Sequence, residues 1–265
     1  MRPVRFEMLD YTIHILMFIF GLTIGSFLNV CIFRLPASKS IVRPGSMCPG
    51  CNSSIKYYDN IPVISYIFLG GKCRKCKIPI SFRYPLVELI SGLTALALFM
   101  KFGLSHEGLV YFIFISALIV ITFIDIDHRI IPDVISLPGI PIGFLMASFL
   151  LPSISWKESL IGILAGGGSL LAVAWIYNLI TKKEGMGGGD IKLLAMIGAF
   201  IGLKGVLFTI FTASAAGTIA GIAVMLKTQK GMKLAVPFGP FLSIGTILYI
   251  FFGSEIISWY IRALT

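Results

Sequence analysis

Two aspartates and four cysteines carry the chemistry open to this sequence. Asp125 stands in F-I-D-I-D-H-R-I-I-P-D and Asp190 in G-M-G-G-G-D-I-K. The first ends an apolar run and the second begins one. An ionisable carboxyl at a bilayer edge is costly, and it marks a functional site by default. Two carboxyls on one membrane face can share a proton and do acid–base chemistry.

The first string also holds Asp127 and Asp133. On a helix Asp127 points about 200° away from Asp125, so the two are not each other's partners. Arg129 would share the Asp125 face if the helix continued. Only Asp125 directly follows the apolar run, which makes it the candidate acid. Asp190 follows Gly187, Gly188 and Gly189. An acid after glycine is an ordinary helix cap. Three glycines also allow an extended strip without side chains, where a peptide backbone can approach. A protease needs such access, because a bond inside a helix is shielded by its own hydrogen bonds. Lys192 is placed to anchor this segment at the interface or to tune the acid.

The cysteines form Cys48-Pro-Gly-Cys51 and Cys73-Arg-Lys-Cys76, with 21 residues between the pairs. Two C-x-x-C turns at that separation supply four thiolates for a tetrahedral zinc. The alternative is two disulfides, which rarely persist in a reducing compartment. With no open ligand position, the metal is expected to be structural. It would supply the folding free energy that a loop rich in Pro, Gly and Ser lacks. Cys31, in an apolar run, reads as a small apolar side chain.

The elements that position these groups are membrane helices. The chain has 265 residues, 57% hydrophobic and 13% charged, with a mean hydropathy of +0.93. A soluble chain would carry about a quarter charged residues. Apolar runs of about 20 residues predict an all-α polytopic membrane protein. Eight spans are expected, at 12–33, 85–102, 108–124, 134–151, 159–181, 191–203, 205–226 and 238–261. The sixth is short and could share a bent helix with the seventh, where Gly202 and Gly205 flank Lys204. Arg2 and Arg5 before the first run resemble a signal-peptide start. Glu7, Asp10, the length of the run and Arg34 after it favour a retained helix.

Basic residues set the orientation. With the N-terminus outside, 16 of the 22 Lys and Arg residues face the cytoplasm. The chain is then N-out and C-out, with the cysteine loop (34–84), Asp125 and Asp190 all at the cytoplasmic face. The net charge of +10 follows from this topology, and nucleic acid is not an expected partner. A cation- or proton-coupled transporter is the rival reading of membrane acids. Transporter sites usually lie near the midplane between repeated halves, whereas these acids lie at one interface and no half is duplicated. Gly162/Gly166 and Gly217/Gly221 have small-xxx-small spacing for helix packing.

The ordered motifs resemble the bacterial type IV prepilin peptidases, bifunctional leader peptidases and N-methyltransferases. They are G-S-F-L-N-V-C-I-F-R-L-P at Gly25–Pro36, the two cysteine turns, D-N-I-P at Asp59–Pro62, G-K-C-R-K-C-K at Gly71–Lys77, R-Y-P-L-V-E-L at Arg83–Leu89, I-D-I-D-H-R-I-I-P-D, and the G-x-G-D core at Gly187–Asp190. The resemblance runs nearly end to end. It implies a GxGD membrane aspartyl protease with Asp125 and Asp190 as the catalytic pair, similar in chemistry to presenilin-type enzymes. It implies prepilin or pseudopilin substrates in the bacterial inner membrane, of the kind used in type IV pili and type II secretion. Their basic leader is cut at the cytoplasmic face. The new amine is then methylated with S-adenosylmethionine. A GxGD protease without the methyltransferase activity is the narrower alternative. The tetracysteine loop marks bifunctional members, so methyl transfer is assigned to residues 1–103 and proteolysis to a six-helix core at 104–265. Gly71, Lys72, Glu88 and Asn29 are the candidates for the S-adenosylmethionine site. Glu88 pairing with Arg83 or Arg34 is an equal reading.

Overall fold

The computed structural model describes residues 4–182, 187–228 and 237–264. The expected basic residues Lys183, Lys230 and Lys233 lie outside them. Among the described residues there are eight α-helices: α1 (Val4–Arg34), α2 (Ile64–Phe68), α3 (Arg83–Phe102), α4 (His106–His128), α5 (Asp133–Phe149), α6 (Trp156–Thr181), α7 (Gly188–Thr228) and α8 (Gly239–Leu264). Six of these are long and apolar enough to cross a membrane. The fold is all-helical and multi-pass, with the cysteine loop between α1 and α3, the first two long helices.

Each of the eight expected spans falls on a helix, but the sixth and seventh are one. Helix α7 has 41 residues and a single non-helical residue, Gly202, at φ 65° and ψ −174°. At 1.5 Å per residue the run is about 60 Å long, twice a hydrocarbon core of about 30 Å. A break is therefore needed, and glycine takes the positive φ without strain. Helix α5 has 17 residues, two of them internal prolines, and is the shortest of the apolar helices.

The chain divides into two compact units, Met1–Val120 and Ile121–Thr265. In the first, α1 packs on α3 through small residues. A Cβ on Gly21 would sit 2.6 Å from the Ser91 carbonyl oxygen, and one on Gly25 would sit 2.6 Å from the Glu88 Cα. Without bulk in the way, the backbones approach closely enough for dispersion to hold the pair in lipid.

In the second unit α7 is the central element, and Leu193–Ile201 is buried along its whole length. Helix α6 packs on it backbone to backbone. Gly162 faces Gly198, and Gly166 faces the Leu194 carbonyl. Helix α5 presents Gly139 to Met196 and Gly143 to Phe200. The Gly162/Gly166 pair thus packs helices as its spacing predicts. Gly217 and Gly221 are packed more loosely: a Cβ on Gly217 would lie 3.6 Å from the Phe241 ring of α8, and one on Gly221 would meet nothing within 4 Å among the described residues.

Candidate active site and tetracysteine cluster

Asp125 lies in the last turn of α4 and is 5% exposed, whereas Asp127 is exposed. Helical phase alone separates them, as expected. The helix does not continue to Arg129. That residue turns left-handed at φ 56°, and its N–H donates to the Asp125 carbonyl at 2.9 Å. This closes the helix C-terminus and takes Arg129 off the Asp125 face.

The turn after α4 is fixed to the start of α7. Ile131 packs on Gly189, where a Cβ would lie 2.9 Å from the Ile131 Cβ. Lys192 Nζ pairs with both Asp133 oxygens at 2.8 Å. Lys192 therefore joins α5 to α7, and its direct partner is Asp133 rather than Asp190. These contacts tie the segment after Asp125 to the segment that carries Asp190, the two parts of the candidate site. Asp190 is half-buried in the first turn of α7.

The three glycines do not form one extended strip. Gly188 and Gly189 are already helical, and only Gly187 precedes the helix. The Asp190 N–H donates to the Gly187 carbonyl at 3.2 Å, which winds the segment inward. Their surroundings also differ. Among the described residues nothing lies within 4 Å of a Cβ on Gly188, Gly187 has only Asp190 Oδ2 near its missing Cβ, at 3.9 Å, and Gly189 is closed by Ile131.

A residue without an obvious sequence signature completes the site. The Gly239 N–H donates to Asp125 Oδ2 at 2.9 Å. Gly239 opens α8 and is followed by Pro240. The first N–H groups of a helix lack internal partners, and a carboxylate at that end is also favoured by the helix dipole. A Cβ at Gly239 would sit 2.7 Å from Asp125 Oδ2, so a side chain there would have to displace the Asp125 carboxylate. The only hint in the sequence is P-F-G-P at 237–240, a glycine between two prolines.

The cysteine loop is built from two copies of one turn. Cys48 N–H donates to Ser53 C=O, Asn52 N–H to Cys48 C=O, and Ile55 N–H to Ser46 C=O. Twenty-five residues on, Cys73, Lys77 and Ile80 make the same bonds to Ile78, Cys73 and Gly71. Asn52 and Lys77, each following the second cysteine of its pair, are both left-handed, at φ 52° and 62°. Each turn folds its two sulfurs to one side. The Sγ atoms of Cys48, Cys51, Cys73 and Cys76 all lie within 4.8 Å of one another, and all four are free thiols. The set can hold a metal ion. Hydrogen bonds from Ser53 lower the Cys51 thiol to about 6. At Cys76 the Ile78 N–H favours the thiolate, but desolvation and the other three cysteines push it up to about 11. Four thiolates this close need a cation between them.

Two arginines tie the loop down. Arg34 donates to the carbonyls of Ser40, Pro44 and Gly45. Arg74 Nε and Nη2 grip Asp59, whose carboxyl is held below its ordinary range by that hydrogen bonding.

The four candidates for the methyl donor site fall into two groups. Asn29 Nδ2 donates to the Tyr84 carbonyl at 3.0 Å, and Glu88 Oε2 accepts the Val63 N–H at 2.8 Å. Both are buried; Asn29 joins α1 to the first turn of α3, and Glu88 joins α3 to the loop. Glu88 thus receives a backbone N–H from the loop. Gly71 and Lys72 belong to the second cysteine turn. Gly71 is at φ 65°, with the Tyr66 ring 3.0 Å from its missing Cβ, and Lys72 is exposed.

Comparison with known proteins gives one consistent result. Residues 19–102 match the bacterial peptidase A24 N-terminal domain, and residues 112–222 match the type IV leader peptidase family. Three relatives are each named prepilin leader peptidase/N-methyltransferase. That of Aeromonas hydrophila is 36% identical, covering 93% of both chains. That of Stutzerimonas stutzeri is 37% identical, covering 92% of both. That of Pseudomonas aeruginosa is 36% identical, covering 91% of both. No solved structure matches. With more than nine-tenths of its length aligned to such relatives, this chain belongs to the type IV leader peptidase family.

Proposed function

We propose that this protein cleaves the basic leader from type IV prepilins and pseudopilins and then N-methylates the new terminal residue. The observation that carries the reading is the carboxyl pair. Asp125 is buried and held by the Gly239 N–H, and the turn after it is tied by Ile131 on Gly189 and Asp133 on Lys192 to the helix start that carries Asp190. In the proposed reaction the pair shares one proton. The ionised member takes a proton from water, and the protonated member polarises the scissile carbonyl. Water attacks, and the tetrahedral species collapses as a proton returns to the leaving amine. The pair titrates as a unit, so neither aspartate has a fixed role.

The basic-residue count supports N-out, C-out insertion in the bacterial inner membrane, with both aspartates at the cytoplasmic face. A prepilin has a basic leader followed by an apolar helix, so its cleavage site lies at that same interface. Residues 104–265 form the proteolytic core in this reading, and residues 1–103 serve methyl transfer.

The metal in this reading is zinc. Tetrahedral zinc with bonds of about 2.3 Å separates its sulfurs by about 3.8 Å, and Cys48 and Cys76 Sγ lie 3.7 Å apart. All four positions are taken by protein, so its role is to fold the loop. S-adenosylmethionine supplies the methyl group. Asn29, Glu88, Gly71 and Lys72 are the residues assigned to the donor. Incubating a prepilin with the protein and S-adenosylmethionine, followed by mass spectrometry, reads both steps. Leader loss plus one methyl is expected. An intact prepilin overturns the protease reading, and cleavage without methyl gain reduces it to a protease alone.

A further inference from the structure

Helix α2 is built inside out. In a helix on a soluble surface the polar face looks outward. Here Ser65 is buried at 8% exposed, while Ile64, Ile67 and Phe68 are 50%, 69% and 86% exposed. The Ser65 hydroxyl donates inward to the Tyr58 carbonyl at 2.8 Å and accepts the Ile61 N–H at 3.2 Å. Tyr66 also faces the protein, with its hydroxyl on the Ile80 carbonyl and its ring edge-on to Phe82. The three apolar side chains fall at i, i+3 and i+4, one continuous face.

The position of this face along α3 is fixed. Val63, just before α2, donates its N–H to Glu88, and Glu88 lies in the second turn of the membrane helix α3. Five residues from Arg83 to Glu88 rise about 7 Å, which is the thickness of one headgroup layer. Val63 itself sits at φ 60° and ψ −49°, a region that is strained for a β-branched residue. The Ile64 N–H donates to the Pro62 carbonyl at 2.6 Å, which makes Val63 the centre of a γ-turn. Glu88 holds this strained turn, and the turn aims α2 along the membrane edge.

The flanks have interfacial chemistry. Tyr57 and Phe82 are 88% and 64% exposed, as aromatic rings at a membrane surface are. Lys56 and Lys72 are exposed on the same loop, and their charge complements anionic headgroups.

We propose that the Tyr57–Phe68 segment is an interfacial anchor, with Ile64, Ile67 and Phe68 inserted into the lipid headgroup layer. It gives the tetracysteine loop a third attachment to the bilayer besides α1 and α3. It requires only that these two helices cross the membrane and does not depend on the catalytic reading.

The test uses the full-length protein with a photoreactive benzoylphenylalanine at position 67 or 68, and at position 75 as control. Each variant is reconstituted in vesicles of phosphatidylethanolamine and phosphatidylglycerol. After irradiation, mass spectrometry should find lipid adducts at 67 and 68 at least about tenfold above those at 75, as for an inserted apolar face. Adducts no more frequent than at 75 overturn the proposal. So does crosslinking that goes mainly to a second copy of the chain, or to an added prepilin peptide. In a second measurement, Ile67→Asp combined with Phe68→Asp should keep the bound metal but expose the loop to trypsin in intact vesicles. Cleavage as slow as in the unmodified protein would also overturn it.

Discussion

The Gly239 N–H points at Asp125 Oδ2 across 2.9 Å, and a Cβ on the same residue would lie 2.7 Å from that oxygen. One backbone position thus both holds the acid and leaves room for it. Gly239→Ala should displace Asp125 and lower the rate of leader cleavage by about 10²-fold, the usual cost of a misplaced reacting group. Methylation of a peptide supplied without its leader should persist. Wild-type cleavage by the alanine variant would show that the hydrogen bond does not position the acid.

Asp125→Asn and Asp190→Asn should each lower cleavage by about 10²- to 10⁴-fold, the contribution of positioned acid–base groups. Asp127→Asn should retain at least partial activity, because Asp127 is on the exposed side of α4. Cleavage against pH should be bell-shaped. The competent pair holds one proton, so activity falls on the acid side when both carboxyls are protonated and on the alkaline side when both are ionised. A plateau through both limbs would exclude proton sharing.

The three glycines before Asp190 should behave differently. Gly189→Val would drive a side chain into Ile131 and should reduce both folded yield and cleavage, since overpacking typically costs about 1–3 kcal/mol. Gly188→Ala would meet nothing within 4 Å among the described residues and should leave the protein intact. Thermal unfolding in detergent, run beside the cleavage assay, separates the two. Equal sensitivity at both positions would argue for a shared role in peptide access.

Glu88 is tested through its acceptor oxygen. Glu88→Gln keeps a carbonyl for the Val63 N–H, whereas Glu88→Leu leaves that part-buried donor unpaired at a cost of up to about 1–3 kcal/mol. The leucine variant should lose methylation more than cleavage, and the glutamine variant should keep most of both. If glutamine loses methylation as completely as leucine, the charge of Glu88 is itself needed, and a direct contact with the methyl donor is indicated.

Removing the metal by chelation, or replacing Cys48, Cys51, Cys73 and Cys76 by Ser, should damage methylation more than proteolysis. The cluster organises only the loop of the first unit, and metal binding is coupled to the folding of such loops. Metal content by mass spectrometry should fall from one ion per chain to none. Equal loss of both activities would instead give the loop a general folding role.

Several features were legible because they depend on local order. Hydropathy gave the helices, since a span needs only length and apolarity. The cysteine pairs gave the cluster, since each C-x-x-C turn closes within itself. Helical phase separated Asp125 from Asp127, because rotation per residue is fixed. Position in the chain could not reveal that Lys192 pairs with Asp133, that Ile131 fills the space beside Gly189, or that Glu88 takes the Val63 N–H. Those partners are brought together by packing between residues up to 59 apart. Gly239 is the clearest case. It is 114 residues from Asp125, and what it offers is a backbone N–H, which every residue except proline has. Sequence by itself determined which groups could do chemistry and how each helix is phased. Only the tertiary structure decided which backbone end meets which carboxyl, because that depends on how closely the helices pack.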